Sequence, residues 1–150
     1  MSLRAAAPHD LGSEFQQTMV ALIRTLGLHQ PDRTPCGQPV PVAEAHALQE
    51  LSREPGLSQN GLAARLRLEK SSVSRIVTAL EKRGWVARKR NPNDTRIVQV
   101  QLTDEGRDAA ATLAASRQAR FERIFAAIPP AERDAVLASL DTLVQVIRET

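Results

Sequence analysis

The chain has 150 residues, 42% hydrophobic and 25% charged, a size and balance suited to one soluble domain with a packed core and too small for a multidomain enzyme. Gln16 and Gln17, Arg24, Arg117 and Asp141 interrupt the apolar windows, which excludes the roughly 18 consecutive apolar residues of a membrane helix, so no membrane partner is expected. The net charge of +3 conceals a division: Arg53 to Val100 holds eleven basic residues against four acidic ones and the remainder holds nine against thirteen, a basic centre between acidic arms that suits a polyanion partner.

The opening Met1-Ser2-Leu3-Arg4, the three alanines after it and Pro8-His9-Asp10 lack the apolar middle section of a secretory signal. With Cys36 as the single cysteine, no internal disulfide can form, and a reducing, cytoplasmic setting is expected. From Leu11 to Leu28 the apolar residues Phe15, Met19, Leu22, Ile23 and Leu26 recur at helical spacing. Gln30 to Val42 holds four prolines and Gly37 and is expected to be a loop. A second helix follows, burying Ala45, Leu48 and Leu51 and stopping near Gly56.

Ser58 stands where it can cap a short helix ending at Leu66, and a tight turn through Arg67 and Leu68 follows. From Glu69 to Arg83 the stripe Val73, Ile76, Val77, Leu80 has the i, i+3, i+4, i+7 spacing of one buried helix face, and Gly84 ends it. At about 100° per residue, Ser71, Ser74, Arg75, Thr78 and Lys82 project from the opposite side, with no acid expected to interrupt them. Glu69 is not a preferred cap, so the start of this helix is fixed only to within about a residue.

Two strand-like runs come next, Trp85 to Arg90 and Arg96 to Leu102, joined by Asn91-Pro92-Asn93-Asp94-Thr95. In the second, Val98, Val100 and Leu102 alternate with polar or outward residues, as in a strand with one buried face. The pair forms a hairpin with a basic tip. Thr103 can cap a long helix with Asp104 and Glu105 in its first turn, running to Ile128, roughly 26 residues or about 39 Å. Pro129 and Pro130 break it, and a last helix from Ala131 to Arg148 carries Val136, Leu137, Leu140, Val144 and Ile147.

The resulting fold class is mainly α with a small β-hairpin. The order helix, short helix, turn, helix, hairpin is that of a winged helix-turn-helix flanked by N- and C-terminal helices, whose second paired helix enters the DNA major groove while the hairpin is the wing. Arg75 can contact guanine in a bidentate way, with Ser71, Ser72, Ser74 and Thr78 offering hydroxyls to base edges. Lys70 and Lys82 suit phosphates.

Between about Leu48 and Ala110 stand, in order, Leu62-Ala63, Ser71-Ser72-Val73-Ser74-Arg75, Leu80-Glu81-Lys82-Arg83-Gly84-Trp85-Val86 with Arg88, Asp94-Thr95-Arg96, and Leu102-Thr103-Asp104-Glu105-Gly106. In these residues the chain resembles the MarR-type (multiple antibiotic resistance regulator) transcription factors. The resemblance implies a dimeric, sequence-specific regulator of transcription, a repressor released by a small phenol or aromatic acid. It implies that residues 11–28 and 103–148 form the dimerisation helices and 42–102 the DNA-binding lobe. It also implies that Arg96 reaches the minor groove, and that Asp94 braces Arg88 or Arg90. The DNA-contacting set is then Lys70, Ser71, Ser72, Ser74, Arg75, Thr78, Lys82, Arg88, Lys89, Arg90, Asp94 and Arg96.

The partners expected are double-stranded DNA bearing an inverted repeat and a second copy of the chain. More apolar residues stand at the two ends than a small winged-helix core covers, an independent reason to expect a dimer. A ligand contact falls to His46, with Arg24 and Trp85, in the cleft where such regulators take aromatic effectors; Trp85 is also read as packing the hairpin against its helix. Cys36 lies in a proline-rich loop of a chain without tyrosine, unlike the reactive thiol of the peroxide-sensing branch. His9, His29, His46 and Cys36 lack compact zinc spacing, so neither a metal nor a cofactor is expected. There is no phosphate-cradling glycine loop, nucleophile elbow or recognisable carboxylate pair, so no enzyme is expected. Two alternatives are a winged-helix protein-interaction module without DNA contact and a thiol-based redox regulator using Cys36.

Overall fold

A computed structural model describes residues 8–150; residues 1–7 of the opening segment read above for its lack of a signal, and the side chain of His9, lie outside the described residues. The elements run α1 Pro8–Leu26, α2 Val42–Arg53, α3 Gln59–Leu66, α4 Lys70–Lys82, β1 Val86–Arg90, β2 Val98–Leu102, α5 Asp104–Ala127, a 3-10 turn Pro130–Glu132 and α6 Arg133–Glu149. This is the mainly α class with one hairpin. No helix among the described residues is long and apolar enough to cross a membrane.

Two compact units divide the chain, Met1–Leu113 and Ala114–Thr150. The core of the first is an apolar cluster in which Leu48, Leu62, Val73, Val77, Leu80 and Val100 are fully buried. It draws on α2, α3, α4 and both strands, with Ala110 and Leu113 of α5 closing it. In the stripe predicted for α4, Ile76 alone stays half-buried, packed at the cluster's edge.

Local chemistry sets the boundaries. α1 ends at Leu26, two residues before the expected Leu28, because Gly27 takes a φ of 83° that L side chains resist, and its N–H and that of Leu28 both bond to the Ile23 carbonyl. Ser58 accepts from the Gly61 amide at 2.9 Å, the cap expected of it. Replacing Ser58 with Ala should cost about 1 kcal/mol, read as a lower denaturant midpoint at unchanged slope. Arg67 closes α3 with φ 55°, the one left-handed non-glycine among the described residues. Glu69 occupies the N-cap of α4 with no side-chain bond, which places the first helical residue at Lys70.

The hairpin pairs Val86 with Leu102 through Arg90 with Val98 in antiparallel register. A third short segment joins it: Val100 donates to the Leu57 carbonyl at 3.0 Å and Ser58 bridges Gln99. Thr103 anchors the wing to α5. Its amide donates to the Trp85 carbonyl at 3.0 Å, its hydroxyl donates to the Gly84 carbonyl at 2.6 Å, and its Oγ1 accepts from Gly106 at 3.0 Å.

Within the second unit, Arg133 ties the start of α6 to the end of α5. It donates to the Ile128 and Ala126 carbonyls at 3.1 and 3.0 Å and lies over the Phe125 ring at 5.3 Å. Apolar side chains remain open on these helices: Phe121, Ile124, Phe125, Leu137, Leu140, Val144, Val146 and Ile147 are exposed. On α1, Leu11, Phe15, Val20, Leu22 and Ile23 are likewise exposed.

Candidate nucleic-acid interface

α4 is the most strongly two-faced of the segments facing the winged core, with Val73, Val77 and Leu80 buried and Lys70, Ser71, Arg75, Thr78 and Lys82 exposed. Ser72 and Ser74 are half-buried at its margins. The hairpin carries Lys89, Arg90 and Arg96 into solvent. Helix face and wing are therefore present together on one unit.

The cations of the central window divide in two. Arg53 pairs with Glu50 at 3.6 Å, and Arg65 pairs with Glu50 at 3.4 Å and with Glu54. Arg83 donates from Nε to Oε1 of the buried Glu44 at 3.2 Å and lies over the Trp85 ring at 5.1 Å, so it is a structural cation. Arg88 pairs with Glu81 and Arg96 with Asp94. Among the described residues Arg67, Lys70, Arg75, Lys82, Lys89 and Arg90 have no carboxylate partner, and five of these six lie on α4 or β1. Cations without a carboxylate partner of their own leave a net positive field on these two elements, the kind that suits phosphates.

Two expectations need correction. Asp94 braces neither Arg88 nor Arg90; it holds Arg96. Its Oδ1 accepts from the Arg96 amide and Nε, both at 3.1 Å, and its Oδ2 accepts from Nη2 at 3.2 Å. The turn folds the carboxylate back over the residue two places on, while Arg90 donates to the Thr95 carbonyl at 2.8 Å. Arg96 still leaves 89% of its side chain exposed, so the brace aims the guanidinium outward without covering it. The guanidinium beside Asp94, and then the Arg96 amide, hold this carboxyl below its usual range.

The second correction concerns the face of α4. An acid does border it: Glu81, one turn beyond Thr78 and two beyond Ser74, stands on their edge of the helix and pairs with Arg88. Arg88 also donates from Nε to Gln59 Oε1 at 3.1 Å, from Nη2 to the Ser74 carbonyl at 2.8 Å, and from Nη1 and Nη2 to Thr78 Oγ1 at 3.3 and 3.2 Å.

The three residues expected to share a ligand are not joined by any hydrogen bond or ring contact among the described residues. Arg24 lines a groove of about 390 Å³ on α1 with Ser13, Gln16, Gln17, Val20 and Ala21. His46 is exposed on α2. Trp85 is half-buried against the core cluster, in keeping with a packing role at the start of the hairpin. A separate groove of about 340 Å³ is lined by Leu51, Ser52, Pro55, Gly56, Gln101, Leu102 and Arg107. Cys36 is half-buried and hydrogen-bonded to the Thr34 hydroxyl. Among the described residues no three His, Cys, Asp or Glu side chains group as metal ligands would.

Sequence reasoning missed Glu44 and its pairing with Arg83, and the bridge through Ser58. A glutamate in the first turn of an amphipathic helix is ordinarily solvated, and the bridge is too short to show a period.

Residues 40–98, the span from α2 through β1 to the first residue of β2, match the model of the MarR family. A helix-turn-helix transcriptional regulator of Mycobacterium bovis is 26% identical over 140 residues, 93% of this chain and 94% of the relative. Two solved structures share the fold. The PcaV transcriptional regulator from Streptomyces coelicolor, in complex with its natural ligand, is 29% identical at a TM-score of 0.60 over 97% of this chain and 96% of that one. Streptococcus pneumoniae FabT, in complex with DNA, is 21% identical at a TM-score of 0.68 over 94% of each chain.

Proposed function

We propose that this MarR-family transcriptional regulator binds duplex DNA as a homodimer, α4 lying in the major groove and the wing reaching the minor groove, and that it acts as a repressor released by a small phenol or aromatic acid. The observation that carries DNA binding is the set Lys70, Arg75, Lys82, Lys89 and Arg90, without carboxylate partners on α4 and the adjoining strand, beside an outward-braced Arg96. Lys70, Lys82, Lys89 and Arg90 suit phosphates, and Ser71 and Arg75, exposed on α4, suit base edges, with the half-buried Ser72 at the margin of that face. A winged module that binds only protein has no use for so many uncompensated cations on one face.

Residues 42–102 serve as the DNA-binding lobe, and 11–28 with 103–148 as the dimerisation helices. The apolar side chains left open on α1, α5 and α6 favour a second copy as their cover. A two-fold dimer sets the reading helices about 34 Å apart and reads half-sites about 10 bp apart. Release by an effector is a population shift, so the ligand must prefer the arrangement that does not fit the operator. The PcaV neighbour, solved with its natural ligand, supports an effector of this kind. A regulator of this kind works in the cytoplasm.

The test is binding to the gene's own upstream region across a salt series. The logarithm of affinity should fall steeply and linearly with that of salt, and a flat response would dismiss the reading. Arg75→Ala should cost about 1–3 kcal/mol at one base position and relax preference there. Arg96→Ala should weaken all sequences alike and reduce the salt slope by about one. Repeating the gel shift with phenols and aromatic acids tests release.

A further inference from the structure

Arg88 stands among the residues that the wing pattern offers to DNA, yet its guanidinium is already engaged on every side. Nε donates to Gln59 on α3 at 3.1 Å, Nη2 donates to the Ser74 carbonyl at 2.8 Å and more weakly to Ser74 Oγ at 3.4 Å, and Nη1 pairs with Glu81. Both Nη atoms also reach Thr78 Oγ1. One side chain thus ties β1 to α3 and to α4 over two turns. The planar fork of a guanidinium can do this, whereas an ammonium cannot span four partners at once.

The partners are constrained in turn. Thr78 has one hydroxyl proton, and it is given to the Ser74 carbonyl at 2.9 Å. Its oxygen accepts from Arg88, so no proton remains for a base acceptor. Ser74 is half-buried beneath the same guanidinium. Ser71 and Arg75 have no such engagement among the described residues and are exposed. The geometry points to Arg88 as a positioning residue that locks the wing to the recognition helix through Gln59, Ser74, Thr78 and Glu81, leaving Ser71 and Arg75 as the base readers. The assignment of readers rests on the DNA-binding reading above; the lock itself does not.

The test uses the full-length protein with Arg88→Ala, Arg88→Lys and Thr78→Val. In the free protein, hydrogen exchange at the amides of β1 should quicken by roughly tenfold in both Arg88 variants, because the charge-assisted bonds that hold the strand are lost. On duplex DNA both should bind roughly tenfold or more weakly, with lysine giving no rescue. Thr78→Val should lower affinity by one common factor across single-base operator variants, while Ser71→Ala and Arg75→Ala change the ranking of those variants.

Wild-type affinity in Arg88→Lys would overturn the inference, since a phosphate contact tolerates an ammonium. Unchanged exchange in β1 would overturn it too, as would a Thr78→Val protein with altered preference at one base pair. If the wild type binds no DNA while exchange in β1 still quickens in the Arg88 variants, the regulatory reading fails and the lock stands.

Discussion

Gly106→Ala is expected to destabilise the winged unit by about 3 kcal/mol, an overpacking cost at the upper end for one added methyl. Gly106 is buried in the first turn of α5. A Cβ there would fall inside the contact radius of the Trp85 carbonyl oxygen, 2.8 Å from its carbonyl carbon and 3.1 Å from its Cα. These atoms are backbone, so no rotamer change relieves the overlap. Either α5 lifts from the wing or the turn before β1 gives way. Both routes strain the Thr103 anchor, whose amide bonds to that same Trp85 carbonyl at 3.0 Å and whose hydroxyl holds Gly84 at 2.6 Å. For a chain of this length the midpoint of thermal unfolding should drop by roughly 6–12 °C. Circular dichroism melts of both proteins decide it, and midpoints within 2 °C, about the effect of 1 kcal/mol or less, would mean that the junction accommodates a methyl without loss.

Much of this arrangement was legible because its causes are local. Val73, Val77 and Leu80 announce α4 by spacing, Ser58 announces α3 by its hydroxyl, and Val98, Val100 and Leu102 announce β2 by alternation, each within one element. The Asp104 and Glu105 pair after Thr103 marks the start of α5 in the same way.

What sequence could not yield is which charges cancel. Arg83 finds Glu44 across 39 positions and Arg65 finds Glu50 across 15, pairings made by tertiary packing that no window contains. A count of basic residues therefore overstates the available field, since Arg53, Arg65 and Arg83 serve the scaffold and Arg88 serves the wing. The Asp94 pairing is local, but the carboxylate's direction depends on how the turn closes, which composition leaves open. The ligand residues Arg24, His46 and Trp85 come together only through the cleft that the resemblance implies, across three segments, and the fold does not link them by any bond among the described residues.

The largest functional loss is expected from Leu140→Glu. Leu140 sits on α6 between Leu137 and Val144, and all three are exposed, Leu140 at 44%. A charge there costs the single chain little, because the core cluster of the first unit does not include this residue. In a two-fold dimer the same position recurs on both protomers, so the substitution acts twice. Burying a leucine contributes about 1.5–3 kcal/mol, and an unpaired carboxylate in an apolar contact adds a desolvation cost. A combined penalty of about 4 kcal/mol weakens association roughly a thousandfold. Sedimentation at micromolar concentration should then give the mass of one chain where the wild type gives two. Operator affinity should fall with it, since a single head spans one half-site and forfeits the effective concentration that the second gains from the first. The melt of the winged unit should stay near that of an isolated subunit, which separates lost assembly from lost folding. A Leu140→Glu protein that still sediments as a pair and binds the inverted repeat with undiminished affinity would remove α6 from the interface.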